Sequence, residues 1–126
     1  MVNNLRDYKS SAVAFLEAAA AGNVEKAFEI VAPHFLHHNP YFKSDATSLK
    51  LGMAENAGLH PDKVFEVQSV IGEGEMVTVH SRICMPSRSL TVAVVHIFRF
   101  EDGKLAELWD IAQAVPEQMI NELGMF

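Results

Sequence analysis

The fold of this chain is decided by residues 94–110, which read VVHIFRFEDGKLAELWD. Two apolar segments flank an Asp102-Gly103 pair, and Asp-Gly between such segments is a strong local signal for a β-hairpin. Each segment contains one titratable residue, His96 in the first and Asp110 in the second. Such side chains are seldom fully buried without a partner or a chemical task. The stretch therefore predicts two long paired strands that carry a candidate acid/base pair.

The length of the turn determines whether His96 and Asp110 share a face of the sheet. A two-residue loop pairs Glu101 with Lys104 and puts the two side chains on opposite faces. A three-residue loop, with its glycine in a left-handed bulge, pairs Phe100 with Lys104 and makes them diagonal neighbours, roughly 7–8 Å apart at Cα. We predict the second register, because it groups four apolar side chains on one face: Val94, Phe98, Phe100 and Leu108.

Length, composition and charge limit the class of protein. At 126 residues, with 49% hydrophobic and 21% charged residues, the chain is predicted to be one soluble domain, 1–126. A net charge of −6 with scattered basic residues argues against nucleic acid and anionic membranes as partners. No apolar run approaches the roughly 18 residues of a bilayer span, and the N-terminus lacks the order of a signal peptide. The single Cys84 suits a cytoplasmic location.

Three helices are predicted in the first half of the chain. Residues 5–19 have apolar side chains at three- and four-residue spacing, and Gly22 is placed to end that helix. A second apolar stripe covers residues 24–31 and stops at the following proline. A third helix is predicted to begin after Asp45 and to end at Gly58.

Strands are predicted in the second half. Residues 63–71 and 75–84 precede the hairpin strands, which gives an antiparallel meander of about four strands, and Pro116 starts a short C-terminal helix. The order predicts an α+β fold in which the helices cover one face of a curved sheet. The other face is also apolar, which predicts a homodimer through that outer face, with these residues at the interface: Val95, Ile97, Trp109 and Ile111.

Two segments of the chain resemble those of a known family. Residues 94–110 are similar to the C-terminal signature of SnoaL-like polyketide cyclases, which have the nuclear-transport-factor-2-like cone fold of ketosteroid isomerase and scytalone dehydratase. Residues 35–40, FLHHNP, resemble that family's aromatic-x-x-His-Asn-Pro segment. The order of helices and strands agrees along nearly the whole chain. The resemblance implies a conical cavity between the helices and the concave face of the sheet.

The resemblance also implies roles for two residues. In cyclases of the family, an aspartate after the tryptophan is the general acid/base of an intramolecular aldol condensation, and a histidine fourteen residues earlier assists it; Asp110 and His96 match these positions. Many relatives instead have aspartate at the earlier position and histidine before the tryptophan, where this chain has Leu108. Burial is expected to raise the pKa of Asp110, and a nearby imidazolium to oppose that rise.

Further residues are expected around the cavity. His38, Asn39 and Tyr41 are predicted to line or gate its mouth, with an Asn39 turn that only stabilises the loop as the alternative. His34 and His38 have the spacing of helical metal ligands, but prolines bracket the segment and no metalloenzyme motif accompanies it. We therefore predict no metal and no cofactor. The remaining predicted ligand contacts are Leu108, Met53 and Phe98.

The leading functional hypothesis is a SnoaL-like enzyme that acts on a small hydrophobic carbonyl compound by cofactor-free acid/base chemistry of the aldol cyclase, isomerase or lyase type. In this reading Asp110 is the base and His96 its partner. The structural alternative is a buried His–Asp hydrogen bond that only stabilises the sheet. The rival functions are a non-catalytic module that binds an apolar ligand and a dimerisation domain, and fold alone does not choose among them.

Overall fold

The computed structural model describes residues 5–126, with side chains from Tyr8 onward. The predicted absence of a leader falls partly on residues 1–4, which lie outside the described residues. Within residues 5–126 no helix combines the length and apolarity that a membrane span requires. The described part contains three α-helices and five strands, in this order: α1 (Leu5–Ala20), α2 (Val24–Ala27), β1 (Val31–His37), α3 (Ala46–Leu59), β2 (Val64–Glu73), β3 (Met76–Met85), β4 (Leu90–Glu101) and β5 (Lys104–Ala114).

The end of α1 is set by Gly22, as predicted. Gly22 has a φ angle of 86°, and its N–H donates to the Ala19 carbonyl at 3.1 Å. The Asn23 N–H donates to the Ala18 carbonyl at 2.8 Å, which completes the paired bonds of a glycine-terminated helix. The start of α3 is also as predicted, because the Asp45 carboxylate accepts the Ser48 N–H. The buried face of α1 consists of Tyr8, Ala12, Phe15, Leu16 and Ala19.

The second predicted helix is largely wrong. α2 is one turn long, a 3-10 turn follows at Phe28–Ile30, and β1 begins at Val31. The strand pairs in parallel with β5 and lies at the edge of the sheet, whose order is β1-β5-β4-β3-β2. Pro33 lies inside this strand, which an edge position permits because one side of the strand needs no ladder donor. The sheet therefore has five strands among the described residues, not about four.

The turn of the β4–β5 hairpin differs from the prediction. Asp102 and Gly103 have φ angles of 50° and 82°, so both central residues of a two-residue turn are left-handed. Glu101 pairs with Lys104 across this turn. The predicted three-residue loop, with Phe100 opposite Lys104, is therefore wrong.

A β-bulge beyond the turn brings the two titratable residues onto one face. The register shifts between Arg99 and Phe100, because β5 has an extra residue, Ala106, at this point. After the bulge, His96 lies directly opposite Asp110. The prediction that both side chains share a face is confirmed, but the predicted diagonal relationship is wrong, because the bulge lies inside the strand and not in the turn.

The core lies between α1 and the concave face of the sheet. The hydrophobic side chains predicted for that face are buried, with Val94 2% exposed and Phe98 and Phe100 fully buried. The opposite, outer face is also apolar, and its Ile111 is 59% exposed. The predicted homodimer through this face stays a prediction. In the same row of the sheet as Ile111, the Phe126 ring stacks on His80 with centroids 5.9 Å apart.

The predicted C-terminal helix is wrong. Residues 115–126 form bends and turns without a helix. The three large aliphatic side chains of this segment are exposed, with exposed fractions of 43% for Met119, 101% for Ile120 and 84% for Leu123. A helix this short depends on burial of its apolar face, and these side chains are not buried.

Candidate active site

A cavity of about 370 Å³ opens between α1, α3 and the concave face of the sheet. Its wall is mainly apolar and includes Leu16, Leu49, Met53, Phe65, Val94 and Ala112. Six polar side chains reach the wall or its rim: Asn39, Tyr41, Asn56, Lys63, His96 and Asp110. A mainly apolar cavity with a few convergent polar groups is the usual form of a small-molecule site.

His96 and Asp110 form a pair in the cavity wall. His96 Nε2 lies 3.7 Å from Asp110 Oδ2, and their side chains are 7% and 18% exposed. The other ring nitrogen, His96 Nδ1, is buried and has no hydrogen-bond partner among the described residues. Asp110 is therefore the polar group that orients this imidazole, and an ionised carboxylate there favours the tautomer with its proton on Nε2.

Asn39 donates a second contact to the same carboxylate oxygen. Its Nδ2 donates to Asp110 Oδ2 at 2.8 Å. The Asn39 side-chain oxygen accepts the Tyr41 N–H at 3.0 Å, which fixes which way the amide points. The turn expected for Asn39 is thus present, and it also aims the amide at Asp110. The two readings of Asn39, cavity residue and loop stabiliser, both describe this side chain.

The loop that carries Asn39 is held by His37. The Asn39 N–H donates to His37 Nδ1 at 3.1 Å, and His37 Nε2 donates to the Lys43 carbonyl. The backbone N–H of His37 donates to the Ser44 carbonyl. The His37 ring, 3% exposed, therefore ties both ends of the loop together and places Asn39 beside Asp110.

The pKa of Asp110 is lowered from its ordinary value of 3.8. Burial is the largest single influence and raises the pKa of this carboxyl, but the proximity and charge of His96 and the Asn39 hydrogen bond together outweigh it. Both expected influences are present, the rise from burial and the opposing effect of His96, and the opposing influences are together the larger. Asp110 is ionised at neutral pH, and its basicity is held down by the nearby His96 and by the Asn39 hydrogen bond.

Three predicted ligand contacts lie elsewhere. His38 projects to the outer face, where its ring stacks on Trp109 with centroids 5.0 Å apart and its Nε2 bonds Glu107 at 2.7 Å. Phe98 is fully buried and Leu108 is 1% exposed, and both belong to the closed core and not to the cavity wall. They share a face with His96 and Asp110, but this part of the face is covered by helix packing.

The other three predicted contacts, Asn39, Met53 and Tyr41, do reach the cavity. Met53 of α3 lines its wall, and Tyr41 lies at its mouth, 86% exposed. Sequence reasoning missed Phe42, next to Tyr41, whose ring packs over Gly52 of α3 at the mouth. It also missed Lys63. The sequence contains one indication of close packing in this region. Gly52 lies inside a predicted helix, where a glycine often allows another group to approach closely.

The three histidines of the His34–His38 segment point to different partners. His34 Nε2 bonds Glu101 at 3.0 Å, while His37 bonds the Lys43 carbonyl and His38 bonds Glu107. Among the residues that the structure describes, no group of three or more histidine, cysteine or acidic side chains is arranged to hold a metal ion. The four-residue spacing of His34 and His38 does not bring their side chains together as it would in a helix, because residues 31–37 form a strand.

A family model described as the SnoaL-like domain matches residues 12–108. The chain belongs to this SnoaL-like family. The matched range contains Asn39 and His96 and ends just before Asp110. No curated protein sequence is significantly similar to the chain.

Solved structures confirm the fold of this SnoaL-like chain. AclR of Streptomyces galilaeus, a proposed hydroxylase, has a TM-score of 0.75 and 18% identity over 86% of this chain and 90% of its own. An NTF-2 like protein of unknown function from Burkholderia xenovorans reaches 0.76, with 18% identity over 94% and 92%. IdmH of Streptomyces antibioticus, a proposed polyketide cyclase, reaches 0.66, with 20% identity over 84% and 91%. At these identities the likeness shows the α+β cone fold and no more.

Proposed function

We propose that this SnoaL-like chain is an enzyme that catalyses cofactor-free acid/base chemistry on a small hydrophobic carbonyl compound, of the aldol cyclase, isomerase or lyase type. The observation that carries the proposal is the His96–Asp110 pair in the wall of an apolar cavity of about 370 Å³. A titratable pair in such a cavity is a typical arrangement for proton transfer. The cyclase candidate among the structural neighbours agrees with this choice but does not decide it.

Each polar group has a role in the proposed reaction. The Asp110 carboxylate removes a proton from the carbon beside the carbonyl. The electron pair of that C–H bond forms a C=C bond, and the π pair of the carbonyl moves to its oxygen, which gives an enolate. The His96 Nε2–H, which at 3.7 Å from Asp110 Oδ2 is not hydrogen-bonded to the carboxylate, donates a hydrogen bond to the oxygen where this charge develops. Asn39 is a positioning residue that holds the carboxylate. The proton on Asp110 then returns to the product.

The lowered pKa of Asp110 restricts the substrate. A weak base removes a proton at a useful rate only when the carbon acid is itself activated. We therefore infer that the reacting carbon is flanked by two carbonyl groups, or that His96 strongly polarises a single one. The apolar wall, which includes Leu49, Met53 and Phe65, suits the hydrophobic remainder of the substrate.

A second candidate function is the binding of an apolar carbonyl compound without turnover. The specific observation in its favour is that Asp110 Oδ2 already accepts from Asn39 and faces His96, which lowers its basicity. In this case the pair would serve as a fixed polar contact for the ligand. The two candidates share the ligand class and differ in whether a proton moves.

Proton-exchange NMR separates the two candidates. The probes are 2-nonanone and 2,4-nonanedione in D₂O, and the rate measured is the loss of the proton beside the carbonyl. The enzyme proposal expects exchange above the buffer rate that falls about 10²–10⁴-fold in Asp110→Asn, the usual contribution of a general base. The matched control is Asp102→Asn in the hairpin turn, where the rate should be unchanged.

The outcomes of this experiment are distinct. Equal rates for the wild type and Asp110→Asn would remove Asp110 from the mechanism. Binding of the probes, seen as chemical-shift changes of His96 and Met53, without any exchange above buffer would support the binding function instead. Neither binding nor exchange with any member of a wider ketone panel would contradict both candidates.

We further propose a cytoplasmic homodimer that pairs through the outer sheet face. The apolar outer side chains of β4 and β5, with Ile111 59% exposed, support this contact, because exposed apolar patches often mark interfaces. The lone Cys84 supports the location. Sedimentation of the wild type and of Ile111→Glu tests the dimer: a wild-type monomer would contradict it, and a dimer converted to monomer by the substitution would support it.

A further inference from the structure

Lys63 places a cation at the rim of the cavity, away from the His96–Asp110 pair. It immediately precedes β2, lines the cavity and is half-buried. Its Nζ donates to the Asn56 side-chain oxygen of α3 at 2.6 Å. Asn56 also lines the cavity. An ammonium has three donors, so this bond leaves two of them for another acceptor.

No carboxylate neutralises this ammonium among the side chains that the structure describes. Lys63 does not take part in any of their ion pairs. The adjacent Asp62 is engaged elsewhere, because it accepts the Ser87 N–H at 2.7 Å and the Ser87 hydroxyl at 3.1 Å. Burial lowers the pKa of Lys63, and no acidic neighbour opposes this effect. The charge is thus partly desolvated and free to bind an anion.

An apolar wall separates Lys63 from the acid/base pair. In the strand order, β2 lies three strand spacings from β5, which is a distance of about 14 Å measured along the sheet. The direct distance across the concave face is shorter, because the sheet is curved. The wall between the two ends consists of Phe65, Ile83, Val92 and Val94. The cavity therefore has a cation at one end, apolar side chains in the middle and a proton-transfer pair at the other end.

We propose that Lys63 binds a carboxylate of the substrate, so that the substrate is an oxo acid with an apolar chain between its carboxylate and its reacting carbonyl. Lys63 and Asn56 form the anion end, and His96 with Asp110 forms the carbonyl end. The carbonyl assignment rests on the proposed function, whereas carboxylate binding at Lys63 requires no turnover. A chain with a net charge of −6 repels anions overall, so a preference for one must come from a local cation.

The test compares a charged ligand with its neutral ester. The probes are 8-oxononanoate and its methyl ester, and their dissociation constants are measured by NMR titration at low and high salt. We expect the wild type to bind the carboxylate about tenfold more tightly than the ester, the size of one charge-assisted hydrogen bond. High salt should reduce this preference. Lys63→Met should weaken carboxylate binding to the level of the ester and so abolish the preference, while Lys63→Arg should retain it.

Lys104→Met, at the exposed hairpin turn, is the matched control and should keep the preference. Equal affinities of the wild type for acid and ester, or an unchanged preference in Lys63→Met, would overturn the assignment. A mass gain on Lys63 after borohydride treatment with the ketone would also overturn it, because it would show an imine-forming amine. The titration measures binding and requires no turnover. The carboxylate preference can therefore be tested even if the Asp110 experiment shows no proton exchange.

Discussion

His96 on β4 and Asp110 on β5 are direct cross-strand partners, and His96 Nε2 lies 3.7 Å from Asp110 Oδ2. The same carboxylate oxygen accepts the Asn39 amide at 2.8 Å. One oxygen thus accepts a hydrogen bond from Asn39 and lies close to the His96 ring, beside an apolar cavity. The arrangement binds the loop after β1 to the centre of the hairpin, and its energy and protonation are measurable.

A double-mutant cycle measures the interaction of this pair. The variants are His96→Gln, Asp110→Asn and the double substitution, and the readout is the free energy of unfolding in urea. We expect a coupling energy of about 1 kcal/mol, because both groups are mostly removed from water and interact through a charged acceptor.

An exposed pair in the same protein provides the control cycle. His34 and Glu101 lie closer, 3.0 Å apart, but their side chains are 59% and 44% exposed. Solvent screens such pairs, so the cycle of His34→Gln with Glu101→Gln should give a coupling near the error of measurement. A coupling for His96–Asp110 no larger than that of the control would show that the buried pair adds nothing to stability.

The pH dependence of stability follows from the lowered pKa of Asp110. A carboxyl whose pKa is lower in the folded state adds stability that is complete above its unfolded pKa and is lost as pH falls through its folded pKa. The stability difference between the wild type and Asp110→Asn should therefore be constant near neutral pH and should change below about pH 4 in favour of the variant.

Urea unfolding of both proteins from neutral pH down to acid measures this difference. Other carboxyl groups with lowered pKa values titrate alike in both proteins, so the difference isolates Asp110; these groups are Asp45, Asp62, Glu101 and Glu107. A difference that moves in favour of the wild type as pH falls would indicate a raised pKa and contradict the structure.

Asn39 should control the pKa of Asp110. Asn39→Ala removes the donor to Asp110 Oδ2, and burial, which raises the pKa of this carboxyl, then has less to oppose it. We expect the pKa of Asp110 to rise, as measured by the ¹³C shift of its carboxyl group. Tyr41→Ala is the control, since it keeps the backbone N–H that orients Asn39 and removes a side chain that is 86% exposed. Equal pKa values in Asn39→Ala and the wild type would refute this role.

The hairpin shows how far local sequence determines a site. Asp102-Gly103 predicted the turn, and the apolar pattern predicted that His96 and Asp110 share a face. The position of the bulge was not predicted. The bulge lies at Leu105 and Ala106, which are both buried although neighbours in a regular strand point to opposite faces. A shift of one residue in the register moves every side chain of a strand to the other face. A sequence therefore predicts a strand more reliably than it predicts the face on which the site residues of that strand lie.

Long-range pairing and burial explain the other differences. β1 pairs with β5, a segment far along the chain, and the local pattern of residues 31–37 does not contain this partner. Leu108 and Phe98 have the parity of the site but lie under the helices, so parity alone did not separate core from cavity wall. Lys63 follows a turn, where lysine is ordinary, and the cavity singles it out only in three dimensions.

The mouth of the cavity depends on a contact between Gly52 of α3 and the ring of Phe42. A Cβ atom built on Gly52 would overlap Phe42 Cε1, so any side chain at this position must displace the ring. Alanine in place of a helical glycine ordinarily stabilises a protein by about 0.5–1 kcal/mol. We expect Gly52→Ala to gain less than this in the wild type, and to gain the full amount in a Phe42→Ala background.

Urea unfolding of the four proteins measures this difference, and Gly58→Ala in the same helix is the matched control. A Cβ on Gly58 meets no heavy atom within 4 Å, so its gain should be the same with and without the Phe42 ring. The ring displaced by Gly52→Ala should also leave the cavity more open, which faster dissociation of 2-nonanone would report. An equal gain from Gly52→Ala in both backgrounds would mean that the Phe42 ring moves aside at no cost, and that it does not close the mouth.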